Sequence, residues 1–255
     1  MRVVTFDAYG TLFQFHDAEF RAGVTSILAA QGLEHPDHDA VYRTLLQSFI
    51  KAGPWSEHLN DEGRPDWQYM ATGPVPEWKS TYTTWLRQWE ITFAAHDLDG
   101  DPEHAANVTR AGLTDAPAYD DAHATIERLA ASGYTVSLLS NADEDFLLGA
   151  LSRCSFDFAA IQSSETLRTY KPNRAIFLAH CEELGVDPAS VLYVGDSLPT
   201  DVRGASAAGM RTAWVRRSER APADDLPTPD VEVAELSDLV SILDNAAPGG
   251  SEGVS

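Results

Sequence analysis

The hydrophobic positions of this chain switch between two periods, and each switch predicts a different element. Residues 2–6 form a short apolar, β-branched run that reads as a buried parallel strand. From residue 14 to residue 112 no strand pattern appears. Phe20, Val24, Ile27 and Leu28 recur at helix spacing until Gly32. Val41, Leu45, Phe49 and Ile50 make a second helix, ended at Gly53-Pro54. Residues 55–76, rich in Gly, Pro and Asp, predict irregular backbone. Residues 77–95 predict a long helix with Trp78, Tyr82, Trp85, Leu86, Trp89 and Phe93 along one stripe, the pattern of core packing.

After Pro117 the two periods alternate. Residues 121–132, 144–154, 173–185 and 202–208 read as helices. Residues 134–139, 158–162, 191–194 and 211–215 read as strands, and 230–233 with 236–243 add one more strand and helix. Strand-helix alternation at this spacing predicts an α/β fold with a doubly wound parallel sheet. The helical stretch is an insert after the first strand. The expected organisation is a core of residues 1–14 and 115–244, a helical cap over 15–114, and an unstructured Gly- and Ser-rich tail over 245–255.

Composition narrows the partners. At 255 residues and 44% hydrophobic, the chain can bury a sizeable core. A formal charge of −21 argues against nucleic acid, whose phosphates would be repelled. A small anionic substrate would then need a local positive site. Cys154 and Cys181 lack CxxC spacing and suit a reducing compartment as small core residues. No signal-peptide pattern opens the chain and no apolar run is long enough to span a bilayer, so the expectation is a cytoplasmic protein with no membrane partner, monomer or homodimer. The 97–101 stretch is acidic, but its glycine comes too early for a calcium loop, so it reads as a polar turn. His180 reads as a histidine at the edge of the core.

The chemistry gathers at strand ends. Asp7 follows the first strand directly, and a carboxylate there needs a partner. Gly10 permits a turn and Thr11 can bond the loop backbone. Ser140 and Asn141 end the second strand, Lys171 follows the third after a short loop, and Asp196 ends the fourth with Asp201 just beyond. Singly, Asn141 reads as a helix cap, Lys171 as a solvated loop lysine and Asp201 as a first-turn helix acid. Together they lie at the carboxyl ends of successive parallel strands, where ligands bind.

With those residues in place, the chain resembles the haloacid dehalogenase-like hydrolases. The match rests on Asp7-Ala8-Tyr9-Gly10-Thr11, Ser140-Asn141, Lys171-Pro172 and Gly195-Asp196-Ser197 with Asp201. The resemblance implies a Rossmann-like core with a helical cap after the first strand. It also implies a covalent mechanism in which Asp7 attacks substrate and water releases the ester. Ser140 and Asn141 match the substrate-contacting pair, and Lys171 matches the lysine that neutralises nucleophile and substrate charge. A carboxylate attacking a phosphate needs intervening cations. Mg²⁺ held by Asp7, Asp196 and the Tyr9 carbonyl, with Asp201 steadying Lys171 or a metal-bound water, would supply them.

Two features of the motif set pull apart. Phosphatases of this family usually carry an aspartate general acid two residues after the nucleophile, where this chain has Tyr9. The Asp-x-Tyr-Gly-Thr form looks like the 2-haloacid dehalogenases, which expel halide and need no acid. Yet the acidic pair Asp196 and Asp201 is a phosphatase feature, and the arginine that would receive a halocarboxylate has only Arg21 and Arg43 as candidates. Three carboxylates together without a metal would stack repelling charge, so the acidic pair is given more weight. The expected activity is a Mg²⁺-dependent phosphohydrolase. The alternatives are a metal-independent 2-haloacid dehalogenase and a non-catalytic binding protein on the same scaffold.

Overall fold

A computed structural model of the chain describes residues 3–15, 17–56, 58–60, 63–217 and 226–246. Six parallel strands form one sheet in the order β3-β2-β1-β4-β5-β6. They are β1 (Val3–Phe6), β2 (Thr135–Ser140), β3 (Ile161–Ser163), β4 (Val191–Gly195), β5 (Arg211–Val215) and β6 (Val231–Val233). β1 is central: Val3 faces Thr135 and Val191, and Phe6 faces Leu138 and Val194. The strand order reverses at β1, which is the switch point of a Rossmann-like α/β fold.

Both sheet faces are covered, which is why the strands read as continuous apolar runs. On one face Leu139 and Tyr193 of the sheet pack against Ile176 and Phe177 of α9 (Arg174–Leu184) and Ala205 of α10 (Arg203–Ala207). The other face carries α6 (Ala122–Ala131), α7 (Glu144–Leu151) and α11 (Leu236–Ala246). Its apolar cluster runs on without a break into the helical insert, from Phe6, Leu12 and Phe13 to Leu28, Trp85 and Trp89. The aromatic stripe is therefore core at Trp85, Trp89 and Phe93, while Trp78 and Tyr82 stay partly exposed.

Between β1 and α6 the described residues supply five helices: α1 (Asp17–Ala30), α2 (His38–Ala52), α3 (Trp67–Thr72), α4 (Thr81–Ala95) and α5 (Pro102–Thr114). Two of these correct the pattern reading. α3 sits in the stretch expected to be irregular; the Asp66 carboxylate caps it by accepting from Tyr69 N at 2.9 Å, and Gly73 ends it. α4 starts at Thr81 rather than residue 77, because Ser80 Oγ accepts from Thr83 N at 3.0 Å and fixes the N-cap. The polar turn at 97–101 joins α4 to α5, with Asp101 capping Glu103 N and His104 N. A short α8 (Ser164–Leu167), held by a Ser163–Thr166 capping box, was also unforeseen. The unstructured tail was expected from 245, but α11 continues to Ala246; residues 247–255 lie outside the described residues. Among the described residues, no helix is long and apolar enough to cross a membrane.

Candidate active site

The register of β1 brings the polar strand ends together. Phe6 pairs with Leu138 and Val194, so Ser140 and Asp196 each lie two residues beyond a partner of Phe6. Asp7 N continues the ladder to Val194 O at 2.9 Å. The chain then turns sharply, with Leu12 N and Phe13 N both donating to Ala8 O. Gly10 sits at φ +88°, and a Cβ there would overlap the Asp196 carboxylate. Only glycine meets both demands.

Asp7 is buried at 6% exposure, and its Oδ1 takes two donors: Ser140 Oγ at 3.0 Å and Lys171 Nζ at 2.6 Å. Among the described residues no side chain bonds its Oδ2. Lys171 Nζ also donates to Asp201 Oδ1 at 2.7 Å and to Tyr193 OH at 3.1 Å, so all three ammonium protons are placed. Asp201 Oδ2 in turn accepts from Ser197 N at 3.0 Å. Thr11 Oγ1 reaches Asp196 Oδ1 at 3.4 Å. Carboxylate oxygens of Asp7, Asp196 and Asp201 lie within 4.8 Å of one another.

The electrostatics follow from this crowding. Burial alone would lower Lys171, but the Asp201 and Asp7 carboxylates outweigh it and hold the ammonium well above its ordinary value. Burial, then the charges of Asp201 and Asp7, push Asp196 well above the usual carboxylate range. Burial also raises Asp201, against the lowering pull of Lys171. One cation thus faces three acids, and of the two raised carboxyls Asp196 holds its proton harder than Asp201.

Asn141 was expected to touch substrate. Its side-chain amide instead closes a reciprocal pair with the backbone of Lys171, donating to Lys171 O at 2.9 Å and accepting from Lys171 N at 2.8 Å. It fixes the loop that delivers the lysine. Tyr9 stands where phosphatases of the family carry the general acid. Its ring packs between Phe13 and Phe146, and its hydroxyl meets the carbonyls of Leu113 and Phe146 at 3.3 Å each. Burial and the Asp7 charge raise its pKa further, so it is a poorer acid than free tyrosine. Arg21 pairs with Asp17 and Asp39, and Arg43 with Asp37; Arg21 is half-buried and Arg43 exposed, and their partners are surface carboxylates of the helical insert.

Several groups the sequence reading passed over support the site. Tyr193, an aromatic hydroxyl inside an aliphatic strand, completes the lysine's coordination and donates to Leu139 O at 2.8 Å. Arg217 forks onto Asp121 at 2.9 Å twice and holds Thr11 O at 3.1 Å. The insert is clasped to the loop after β2 and to the lysine loop before α9. Asp143 accepts from Thr81 N and Tyr82 N at the start of α4, Tyr170 OH bonds Lys79, and Asn173 Nδ2 donates to the carbonyls of Met70, Gly73 and Pro74.

The model of the haloacid dehalogenase-like hydrolase family matches residues 1–209. The chain belongs to that family. This hydrolase is 27% identical to (S)-2-haloacid dehalogenase 4A of Burkholderia cepacia, over 95% of each chain. It is 28% identical to the phosphoserine phosphatase of Thermus thermophilus, over 73% of this chain and 76% of that one. Its fold superposes on the L-2-haloacid dehalogenase of Xanthobacter autotrophicus with a TM-score of 0.72 at 22% identity, covering 97% of this chain and 100% of the other. Membership makes the chain an enzyme, and the reading as a non-catalytic binding protein is set aside.

Proposed function

We propose that this hydrolase removes halide from a small 2-haloacid through an ester on Asp7. The observation that carries the reading is the direction of Tyr9. It occupies the general-acid position, yet its hydroxyl is tied to two backbone carbonyls and its proton is held tightly. A leaving group that departs as a stable anion fits a site with no acid there. The likeness to a haloacid dehalogenase that extends through the helical insert supports the same reading.

Ser140 and Lys171 fix Asp7 by Oδ1 and leave Oδ2 to attack. Oδ2 bonds to C2 of the substrate, the carbon–halogen bond breaks, and halide leaves with the electron pair. Water then attacks the ester carbonyl carbon, and negative charge develops on Oδ1. The Ser140 and Lys171 donors already stand at that atom, so they act as an oxyanion hole without rearrangement. A carboxylate of the Asp196–Asp201 pair takes one proton of the water and passes it to the alkoxide as the carbonyl carbon–alkoxide bond breaks, so a 2-hydroxy acid leaves; the water's other proton goes to solvent and Asp7 is restored as a carboxylate.

The sequence reading placed a Mg²⁺-dependent phosphohydrolase first, on the ground that three carboxylates need a metal. A proton gives the same relief, and the raised Asp196 carboxyl is where it would sit. That reverses the order of the two readings. The cluster of Asp7, Asp196 and Asp201 still favours the phosphohydrolase as a second reading. The acidic oxygens suit a hard cation, which Asp7, Asp196 and the Tyr9 carbonyl would hold, with Asp201 beside them. When bound it would neutralise the nucleophile and an incoming phosphate. The deciding assay compares halide release from 2-chloropropionate in EDTA with phosphate release from acetyl phosphate and an aryl phosphate, with and without Mg²⁺. EDTA-resistant halide release is the expected result. Mg²⁺-dependent phosphate release with no halide would establish the second reading instead.

A further inference from the structure

A cavity of about 310 Å³ lies at the root of the helical insert, apart from the carboxylate cluster. Its walls come from α1, α4 and α5 and from the two chain crossings between insert and sheet. Those crossings are paired, Gln14 N donating to Pro117 O at 2.8 Å, and both reach the cavity. Wall polar groups are satisfied within the protein: Trp89 Nε1 donates to Thr109 Oγ1 at 3.2 Å, and Thr109 Oγ1 to Ala105 O at 3.0 Å. The interior is therefore apolar, and at its mouth Phe15 is 46% exposed.

An independent observation comes from the glycines. Among the described glycines, all but two have either a positive φ or a neighbour that an added Cβ would crowd. The exceptions are Gly23 in α1 and Gly112 in α5, where a Cβ would meet nothing within 4 Å. Both line this cavity. Glycine inside a helix is destabilising relative to alanine, and here neither turn geometry nor close packing calls for it. Gly23 is half-buried and Gly112 exposed, and together they leave the cavity open to the surface.

Charge narrows the occupant. Among the described residues the charged side chains lining the cavity are Glu19 and Asp115, both exposed at its rim, and no Lys or Arg lines it. Asp115 pairs with Arg153 at 3.3 Å, while Glu19 has no ion-pair partner among the described residues. The volume is at the lower end of small-molecule sites and about twice that of an apolar cavity known to hold benzene. We infer that this cavity binds a two-ring aromatic amine or a similarly sized apolar cation. A haloacid or phosphate would meet an apolar pocket and an uncompensated carboxylate, so this site is not the substrate's. The inference does not depend on which reaction Asp7 performs.

Tryptamine is the probe, with indole-3-acetate as the anionic control. Binding is read by tryptophan-region chemical shifts and by Tm, without any activity assay. Tryptamine is expected to bind the wild-type protein saturably and to raise Tm, and indole-3-acetate to bind at least about fivefold more weakly. Gly23→Ala is expected to raise the ligand-free Tm and weaken tryptamine. Gly23→Leu is expected to abolish binding while the protein stays folded, with wild-type circular dichroism and a cooperative thermal transition. Glu19→Gln is expected to erase the preference for the amine. No saturable binding at the solubility limit of tryptamine would overturn the inference. So would wild-type affinity in a folded Gly23→Leu protein, or tighter binding of indole-3-acetate.

Discussion

Replacing Lys171 with methionine keeps the side chain's length and apolar stem and deletes its charge. The ammonium is 4% exposed and sits 2.6 Å from Asp7 Oδ1 and 2.7 Å from Asp201 Oδ1. Coulomb's law at an effective dielectric of about 20 gives a gross attraction of roughly 6 kcal/mol for each contact. Desolvation offsets much of that, and breaking a buried pair by removing one partner leaves a net loss of about 3–5 kcal/mol. The loss must also depend on pH in a definite sense. Without the cation, the Asp201 carboxyl, already raised by burial, rises further in the folded state. A carboxyl raised on folding binds its proton more tightly folded than unfolded, so the variant is destabilised as pH climbs through that range. Urea unfolding should therefore show a deficit against wild type that is larger at about pH 8 than at about pH 5. Catalysis loses the donor at Oδ1, which predicts a fall of roughly 10²–10³ in both halide release and ester hydrolysis. A folded Lys171→Met protein with kcat within tenfold of wild type, or a deficit independent of pH, would refute the charge-balanced site.

Tyr9→Phe should change halide release by less than about threefold, since its hydroxyl serves two carbonyls rather than the substrate, while lowering stability by about 1 kcal/mol; a hundredfold loss would mean that Tyr9 is an acid after all. Asp143→Ala removes the acceptor of Thr81 N and Tyr82 N, so their amide exchange should quicken and KM rise as the insert loosens, with a stability loss of about 2 kcal/mol; unchanged exchange at these amides would show that the clasp carries no weight. His180 is fully buried against Ser137, Thr5 and Gln162, and burial lowers its pKa from 6.5 to about 4. Its neutral form contributes stability above about pH 6.5 that is lost as pH falls toward about 4, roughly 3 kcal/mol in all. Chemical unfolding of wild type and His180→Gln across this range should give a visibly shallower slope for the variant; parallel slopes would remove His180 from the acid response.

The succession of strands and helices was legible in the residues themselves, because buried parallel strands need unbroken apolar runs and helices need capped, periodic ones. Asn173 before α9 and Gly185 after it, at φ +66°, are local signals of that kind. So was the meeting of Asp7, Ser140, Lys171 and Asp196: polar residues at the ends of successive parallel strands must share one edge. Helix α3 was not legible, because its six residues lack a full apolar period and its burial comes from docking onto the core. The directions of side chains were not legible either. Tyr9 turns to carbonyls of α5 and α7, Asn141 turns to the lysine backbone, and Arg21 and Arg43 turn to neighbouring acids. Each choice depends on which partner lies within about 3 Å once the chain is packed, and spacing along the polymer carries no such distance. The charge state of the acidic cluster belongs to the same class. Burial and three mutually close carboxylates raise Asp196, and only folding brings them within reach of one lysine.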